Sequence, residues 1–336
     1  MSRPQITQKG ADMTIKGTSA AFAATAALLV TTACDASGHA DPSASGATLT
    51  VKIGAVPTIQ YGVIKLAQAR GFFAEQGVRV DITNVDSGPN VVTGVVAGQY
   101  DVGWTAYAPV LLAVAAGNSG LKKVANVSLL GAKGTNSGLL VRKDSGITSF
   151  AALAGKKVAT NAQRSLVTLT TQAAVAKAGG DPSTTEFVAL PLGQIAKAVA
   201  ERQVDAGVTA PPYQSQALKQ FPELADLGDT LAEVLPPGSP TGLVFGKKDL
   251  SGDRKTAMER FQTAIKKALA YADDHQAEVK AAGAPLAGLS AEEAAALPDV
   301  TYRSEVTAAQ LAPLVALMKQ FGWVKNDIDL AAFVGA

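Results

Sequence analysis

The sequence predicts an α/β protein built as two similar lobes, and three observations carry that prediction. Residues 156–213 alternate strand, helix, strand, helix, strand. Residues 51–106 run through the same alternation. The two runs also share residues at a constant offset of 104: Asp101 and Asp205, Gly103 and Gly207, Thr105 and Thr209, Ala106 and Ala210. An internal match fixes architecture before any one residue is interpreted, and this offset is too long for a stacked repeat. Two lobes are the expectation.

The elements follow in order. Residues 51–56 read as a strand, 60–69 as a helix stopped at Gly71, and 80–85 as a second strand. The polar turn Asp86-Ser87-Gly88-Pro89-Asn90 leads into a helix ending near Ala97, and the strand 101–106 follows with Pro109 close behind. Residues 121–130 and 138–142 read as strands, and the glycine-rich segment 131–137 between them is the expected first crossing between lobes. In the second lobe a strand at 157–159 opens into the polar loop 160–165. A helix over 166–177 stops at Gly179-Gly180 with Pro182 beyond, a common helix ending. The strand 187–190, the helix 194–202 and the strand 204–208 complete the unit, which closes on Pro211-Pro212-Tyr213.

The return crossing is expected in 236–242, ahead of a strand at 243–245. Met258, Phe261, Ile265 and Leu269 then recur at three- and four-residue spacing, the signature of a helix with one buried face. Ser290-Ala291-Glu292-Glu293 and Thr307-Ala308-Ala309-Gln310 have capping-box form, and a last helix runs through Leu311, Leu314 and Met318 to Gly322. These helices are expected to pack on the first lobe and to carry no chemistry. The lobes are thus expected to comprise 49–137 with 241–336, and 138–240.

This connectivity places the functional surface. Strands joined through helices lie parallel, with every strand-to-helix loop at one edge of the sheet. Ligands of open α/β sheets bind outside the carboxyl ends of the strands. If the two edges face each other, the loops after Val56, Val85, Ala159 and Leu190 converge on one cleft. Each loop enters a helix N-terminus, where free N–H groups and the helix dipole favour an anionic group.

Ahead of the lobes, Lys9 and Lys16 precede an apolar run, 20–30, and then Thr31-Thr32-Ala33-Cys34. That is the pattern of a secretory signal, with Met13 an alternative start, and the run is too short to span a bilayer. Cleavage before Cys34 resembles the bacterial lipoprotein signal, which implies a lipid on that cysteine. Cys34 is the only cysteine, so no internal disulfide is possible. Residues 35–47, rich in Ser, Gly, Ala and Asp and holding His39, read as a flexible tether. The formal charge of +2 is too near neutral for a nucleic-acid surface.

The chain resembles the periplasmic solute-binding proteins of ABC importers, in the sulfonate, nitrate and taurine group and most of all its aliphatic-sulfonate branch. The resemblance rests on Gly71-Phe72-Phe73 with Gly77-Val78-Arg79-Val80, on Gly98-Gln99-Tyr100-Asp101-Val102-Gly103 and on Trp104-Thr105-Ala106-Tyr107-Ala108-Pro109. Further on come Val141-Arg142-Lys143-Asp144-Ser145-Gly146-Ile147, Leu153-Ala154-Gly155-Lys156-Lys157-Val158-Ala159, Val204-Asp205-Ala206-Gly207 and residues 314–322. It implies a two-lobed venus-flytrap fold (type II) that closes on a small molecule. It also implies extracytoplasmic anchoring through Cys34 and delivery of the ligand to a permease driven by a cytoplasmic ATPase. A monomer without a cofactor or metal is expected.

Candidate ligand residues lie on the converging loops. Thr58, Gln60 and Tyr61 enter the first helix, where a Thr equally serves as a cap. Ser87, Gly88 and Asn90 form a polar turn, which is also a plain turn composition. Trp104, Thr105 and Tyr107 follow the repeated strand, and Trp104 either walls the pocket or belongs to the core. In the second lobe Asn161, Gln163, Arg164 and Ser165 fill the loop before a helix, Gln194 heads the next helix, and Tyr213 follows the double proline. Arg164 is the sharpest candidate, since a guanidinium fork matches sulfonate or carboxylate oxygens. The aromatics Tyr61, Trp104, Tyr107 and Tyr213 equally suit a ring-bearing compound such as an aryl sulfonate or a pyrimidine.

The resemblance also implies enzymes on the same fold, a cysteine-dependent desulfinase and a pyrimidine synthase that uses histidine. Cys34, His39 and His275 are the only residues of those types, so no Cys–His pair forms in the cleft, and a non-enzymatic binder is expected. Asp101 and Asp205 read as structural, set by their place in the repeat.

Overall fold

The computed structural model describes residues 48–132 and 137–335. The expected signal, Cys34 and the tether lie outside the described residues, as does 133–136 within the first expected crossing.

Eleven strands are described: β1 Leu49–Ala55, β2 Val78–Asn84, β3 Val102–Ala106, β4 Leu121–Leu129, β5 Gly138–Arg142, β6 Lys157–Thr160, β7 Glu186–Ala189, β8 Ala206–Thr209, β9 Leu224–Asp226, β10 Pro240–Lys247 and β11 Thr301–Tyr302. The α-helices among the described residues are α1 Gly62–Ala69, α2 Gly88–Ala97, α3 Tyr107–Ala115, α4 Leu166–Lys177, α5 Leu192–Ala200, α6 Tyr213–Gln220, α7 Thr230–Val234, α8 Gly252–Asp274, α9 Gln276–Gly283, α10 Ala291–Ala295, α11 Ala308–Gln320 and α12 Leu330–Val334.

The strands form two sheets, each with its helices, and these are the two lobes. Their orders are β11-β4-β10-β3-β1-β2 and β7-β6-β8-β5-β9. In each sheet the strand-helix units give parallel pairing, β2-β1-β3 and β7-β6-β8. The strand that follows a passage between sheets, β10 or β5, then enters antiparallel beside β3 or β8. The same order therefore recurs in both lobes.

The repeat has a physical basis. The carboxylates of Asp101 and Asp205 accept from Lys52 N–H and Lys157 N–H, each at 2.8 Å, and their own N–H groups donate to the carbonyls of the same two lysines, each at 2.9 Å. Each aspartate thus ties the loop before β3 or β8 to the neighbouring strand, at the middle of β1 and the first residue of β6. Both are structural, as the spacing suggested. At Gly103 a Cβ would strike the Phe245 ring and Val91, and at Gly207 it would strike Ile195 and Val199. In each lobe the missing side chain lets a helix lie directly on the central strand.

The core is divided by sheet face. One cluster packs α8 beneath the first sheet through Met258, Phe261, Ile265 and Leu269, as the three- and four-residue spacing required. Both capping boxes form, at Ser290 and Thr307. One expectation is corrected here: the C-terminal helices do not confine themselves to the first lobe. Leu311, Leu314 and Met318 of α11 share a core with Leu169 of α4 and with Leu231. The indole N–H of Trp323, just past α11, donates to Gln172 Oε1 at 3.0 Å. Helix α11 therefore packs against α4 of the second lobe as well.

Candidate functional site

The carboxyl edges of the two sheets face each other across a cavity of about 120 Å³. Its wall is built from repeated positions. Thr105 and Ala106 close β3 on one side, and Thr209 and Ala210 close β8 on the other, all four lining the cavity. Trp104 lies on the same wall with only 3% of its surface exposed, serving both core and cavity.

Four helices begin on this wall. Gly88 is the first residue of α2, Ala106 precedes α3, Ser165 precedes α4 and Leu192 is the first residue of α5. Starts of α2, α3 and α5 carry no side-chain cap, so their first-turn N–H groups are not occupied by a capping side chain. At α4 the Ser165 hydroxyl accepts from Thr168 N–H at 3.4 Å. None of the lining residues is charged or titratable. The positive potential at the wall is therefore that of peptide dipoles, in an otherwise apolar setting of Val56, Val127, Leu166, Leu192 and Leu231.

The polar wall groups are neutral. Ser128 and Thr241 bond to each other at 2.8 Å, and Ser165 and Thr168 at 3.0 Å, so these hydroxyls are already partnered. Gln60 and Asn161 supply amides, and Thr58 caps nothing with its side chain although it precedes the first helical turn.

Of the residues expected at the site, Thr58, Gln60, Gly88, Trp104, Thr105, Asn161 and Ser165 come together on this wall. The others are placed elsewhere. Tyr61 is buried in the first core, with its hydroxyl donating to Asn84 Oδ1 at 3.1 Å. Tyr107 is fully buried and donates to Asn126 Oδ1 at 2.8 Å. Tyr61 ends the short turn before α1 and Tyr107 begins α3, and both rings turn inward to the core. Ser87 is buried beside the wall without reaching it, while Asn90, Gln163 and Gln194 are exposed off it.

Arg164 is also exposed, and its guanidinium lies 5.1 Å from the centre of the Trp323 ring. It is therefore a contact between lobes, one residue away from the Ser165 that does reach the cavity. Tyr213 stands half-buried at the start of α6. Burial raises its pKa first, and the Asp86 carboxylate of the first lobe raises it further. At that side of the cleft Ile59 N–H donates to the Pro211 carbonyl at 3.4 Å, so the lobes touch. His275 stacks on Tyr271 on α8, remote from the wall.

Burial pushes Tyr61 up to about 12, and it also holds Tyr107 well above the ordinary phenol value. The neutral phenol is thus favoured by folding, so its stabilisation is complete below the unfolded pKa of about 10. It is lost as pH rises toward the folded value. Chemical denaturation followed across this range should give a midpoint that holds to about pH 10 and falls between there and about pH 12.

Sequence reasoning missed Thr209, Thr241, Ser128, Leu166, Leu192 and Leu231. For Thr209 a signal was present, because it is the repeat partner of Thr105. For Ser128 and Thr241 there was none, since β4 and β10 reach the wall only through antiparallel pairing.

Comparison with solved structures supports the architecture. The fold is similar to the alkanesulfonate-binding protein SsuA from Xanthomonas axonopodis pv. citri bound to MOPS, with a TM-score of 0.67 and 18% identity over 85% of this chain and 98% of that one. It is similar to the periplasmic aliphatic sulphonate binding protein SsuA from Escherichia coli, with a TM-score of 0.67 and 21% identity over 85% and 97%. It is also similar to the periplasmic nitrate-binding protein NrtA from Synechocystis PCC 6803, with a TM-score of 0.69 and 14% identity over 86% and 85%. No curated protein matches this sequence. These likenesses identify the two-lobed fold of periplasmic binding proteins. The NMT1/THI5-like family model matches residues 59–279, more than half of the sequence, and the chain belongs to that family.

Proposed function

We propose that this protein is the solute-binding component of an ABC importer, taking a small anion between its lobes and presenting it to a permease. The observation that carries the reading is the meeting of four helix N-termini on one largely apolar wall with no charged side chain. Peptide dipoles bind one negative charge without a formal counter-charge, and the apolar wall takes the rest of the molecule. A cavity of about 120 Å³ accommodates a group roughly the size of benzene. Short alkanesulfonates satisfy all three conditions.

Trp104 on the wall supports a second reading, a small ring such as a pyrimidine lying against the indole. In either case the protein works as a monomeric carrier outside the cytoplasm, held to the membrane through Cys34 and released from its ligand by a permease with its ATPase.

Calorimetry with ethanesulfonate, taurine, nitrate and cytosine distinguishes these readings. Ethanesulfonate is expected to bind, with an affinity constant across about pH 5 to 9 because no wall residue titrates there. Binding of cytosine with no heat from the two sulfonates or nitrate would transfer the assignment to the ring-bearing class.

A further inference from the structure

We infer that Thr209 is the residue of the second lobe that selects the ligand's head group, through a hydrogen bond from its hydroxyl to a ligand oxygen. The inference rests on the reading of the cavity as a ligand site, and it adds a contact that neither the helix ends nor Arg164 supply.

Thr209 is 1% exposed, and its Oγ1 has no hydrogen-bond partner among the described residues. Two other buried side-chain oxygens share that condition, Ser239 Oγ and Tyr302 OH, but neither residue lines the cavity. Buried hydroxyls without a partner are rare in folded proteins, and one carried by a residue that lines a cavity is explained when the occupant completes it. The neighbouring hydroxyls emphasise the contrast. Ser128 bonds Thr241 at 2.8 Å and Ser165 bonds Thr168 at 3.0 Å, so three other hydroxyls on the wall are already partnered.

Position sets the direction of the bond. Thr209 ends β8 at the carboxyl edge of its sheet, the edge where α4 and α5 begin, and Ser165 and Leu192 share its wall. The potential there is positive, so an electron-rich oxygen is the favoured neighbour and the Thr209 O–H donates to it. Its repeat partner Thr105 stands at the matching strand end of the other lobe. One hydroxyl-bearing residue from each lobe therefore lines the same cavity.

The test uses Thr209→Val, which keeps the shape and removes the hydroxyl, and Thr209→Ser, which keeps the hydroxyl. Ethanesulfonate affinity should fall roughly 10- to 100-fold in the valine variant and stay within about threefold in the serine variant. Without ligand, the valine variant should melt no lower than the parent, because the lost group had no partner within the protein. Unchanged ethanesulfonate affinity in Thr209→Val overturns the inference. So does a lowered ligand-free melting midpoint, which would mean that the hydroxyl serves the fold. If the parent binds no ethanesulfonate but binds cytosine, the anionic reading fails and the same pair of variants is measured with cytosine. If it binds neither, the reading of the cavity as a site for these ligands fails and the inference falls with it.

Discussion

Replacing Phe261 with Ala is expected to lower stability by about 3–5 kcal/mol, the range for an aromatic removed from a packed interior. Phe261 is fully buried midway along α8 and stacks on Phe73 with ring centres 5.4 Å apart. Met258, Ile265 and Leu269 flank it on the same helical face, and Val51, Val80 and Val124 of the sheet belong to the same cluster. Apart from Met258 the neighbours are branched or aromatic and refill the space poorly, so the cavity term adds to the transfer term. Calorimetry should show the melting midpoint falling by on the order of 10 °C. Ligand affinity of the folded variant should be unchanged, since none of these residues touches the cavity wall. A loss below about 1 kcal/mol would show that α8 contributes little to holding the first lobe.

Gly88→Val should nearly abolish ligand binding while leaving the fold in place. A Cβ at this position would lie 2.5 Å from Thr105 Oγ1 and 2.7 Å from Pro109 Cγ. Two further methyl groups would then occupy the cavity at the start of α2, where the N–H groups must be approached closely. Overpacking of this kind costs about 1–3 kcal/mol in stability. The same displacement of Thr105 and loss of room should weaken ethanesulfonate roughly 100-fold, measured by calorimetry. Asn90→Ala, two residues on and exposed, provides the control and should stay within about twofold. Equal affinities in the two variants would mean that the ligand does not approach the start of α2.

Much of the fold was legible before any coordinate, because its rules are local. The three- and four-residue spacing of Met258, Phe261, Ile265 and Leu269 gave the buried face of α8, and the Ser290 and Thr307 boxes marked two helix starts. The repeat identified Asp101 and Asp205 as paired structural residues, and both make the same two bonds. Short elements escaped. Strand β9 has three residues and β11 two, and neither length holds a periodicity to read. Helix α3 was hidden for a different reason: Tyr107 to Ala115 is apolar on nearly every side, so it carries no polar face.

The candidate site was legible to about the level of its loops. Arg164 and Ser165 are adjacent, yet one stacks on Trp323 and the other enters the cavity. Tyr107 and Thr105 lie two residues apart, yet the chain changes from strand to helix between them and sends the ring into the core. Order along the chain was enough to establish two alike α/β lobes and the sheet edge where ligand loops gather; it put Thr105 at that edge, while Thr209 and the alanines beside both were recognised only in the fold. Which neighbours turn toward the cavity depended on packing between segments far apart in sequence. Helix α11 and Trp323 drew Arg164 away, and β4 with β10 delivered Ser128 and Thr241. Strand and helix periods constrain a side chain relative to its own backbone, whereas a cavity is the space left when several backbones have settled against one another.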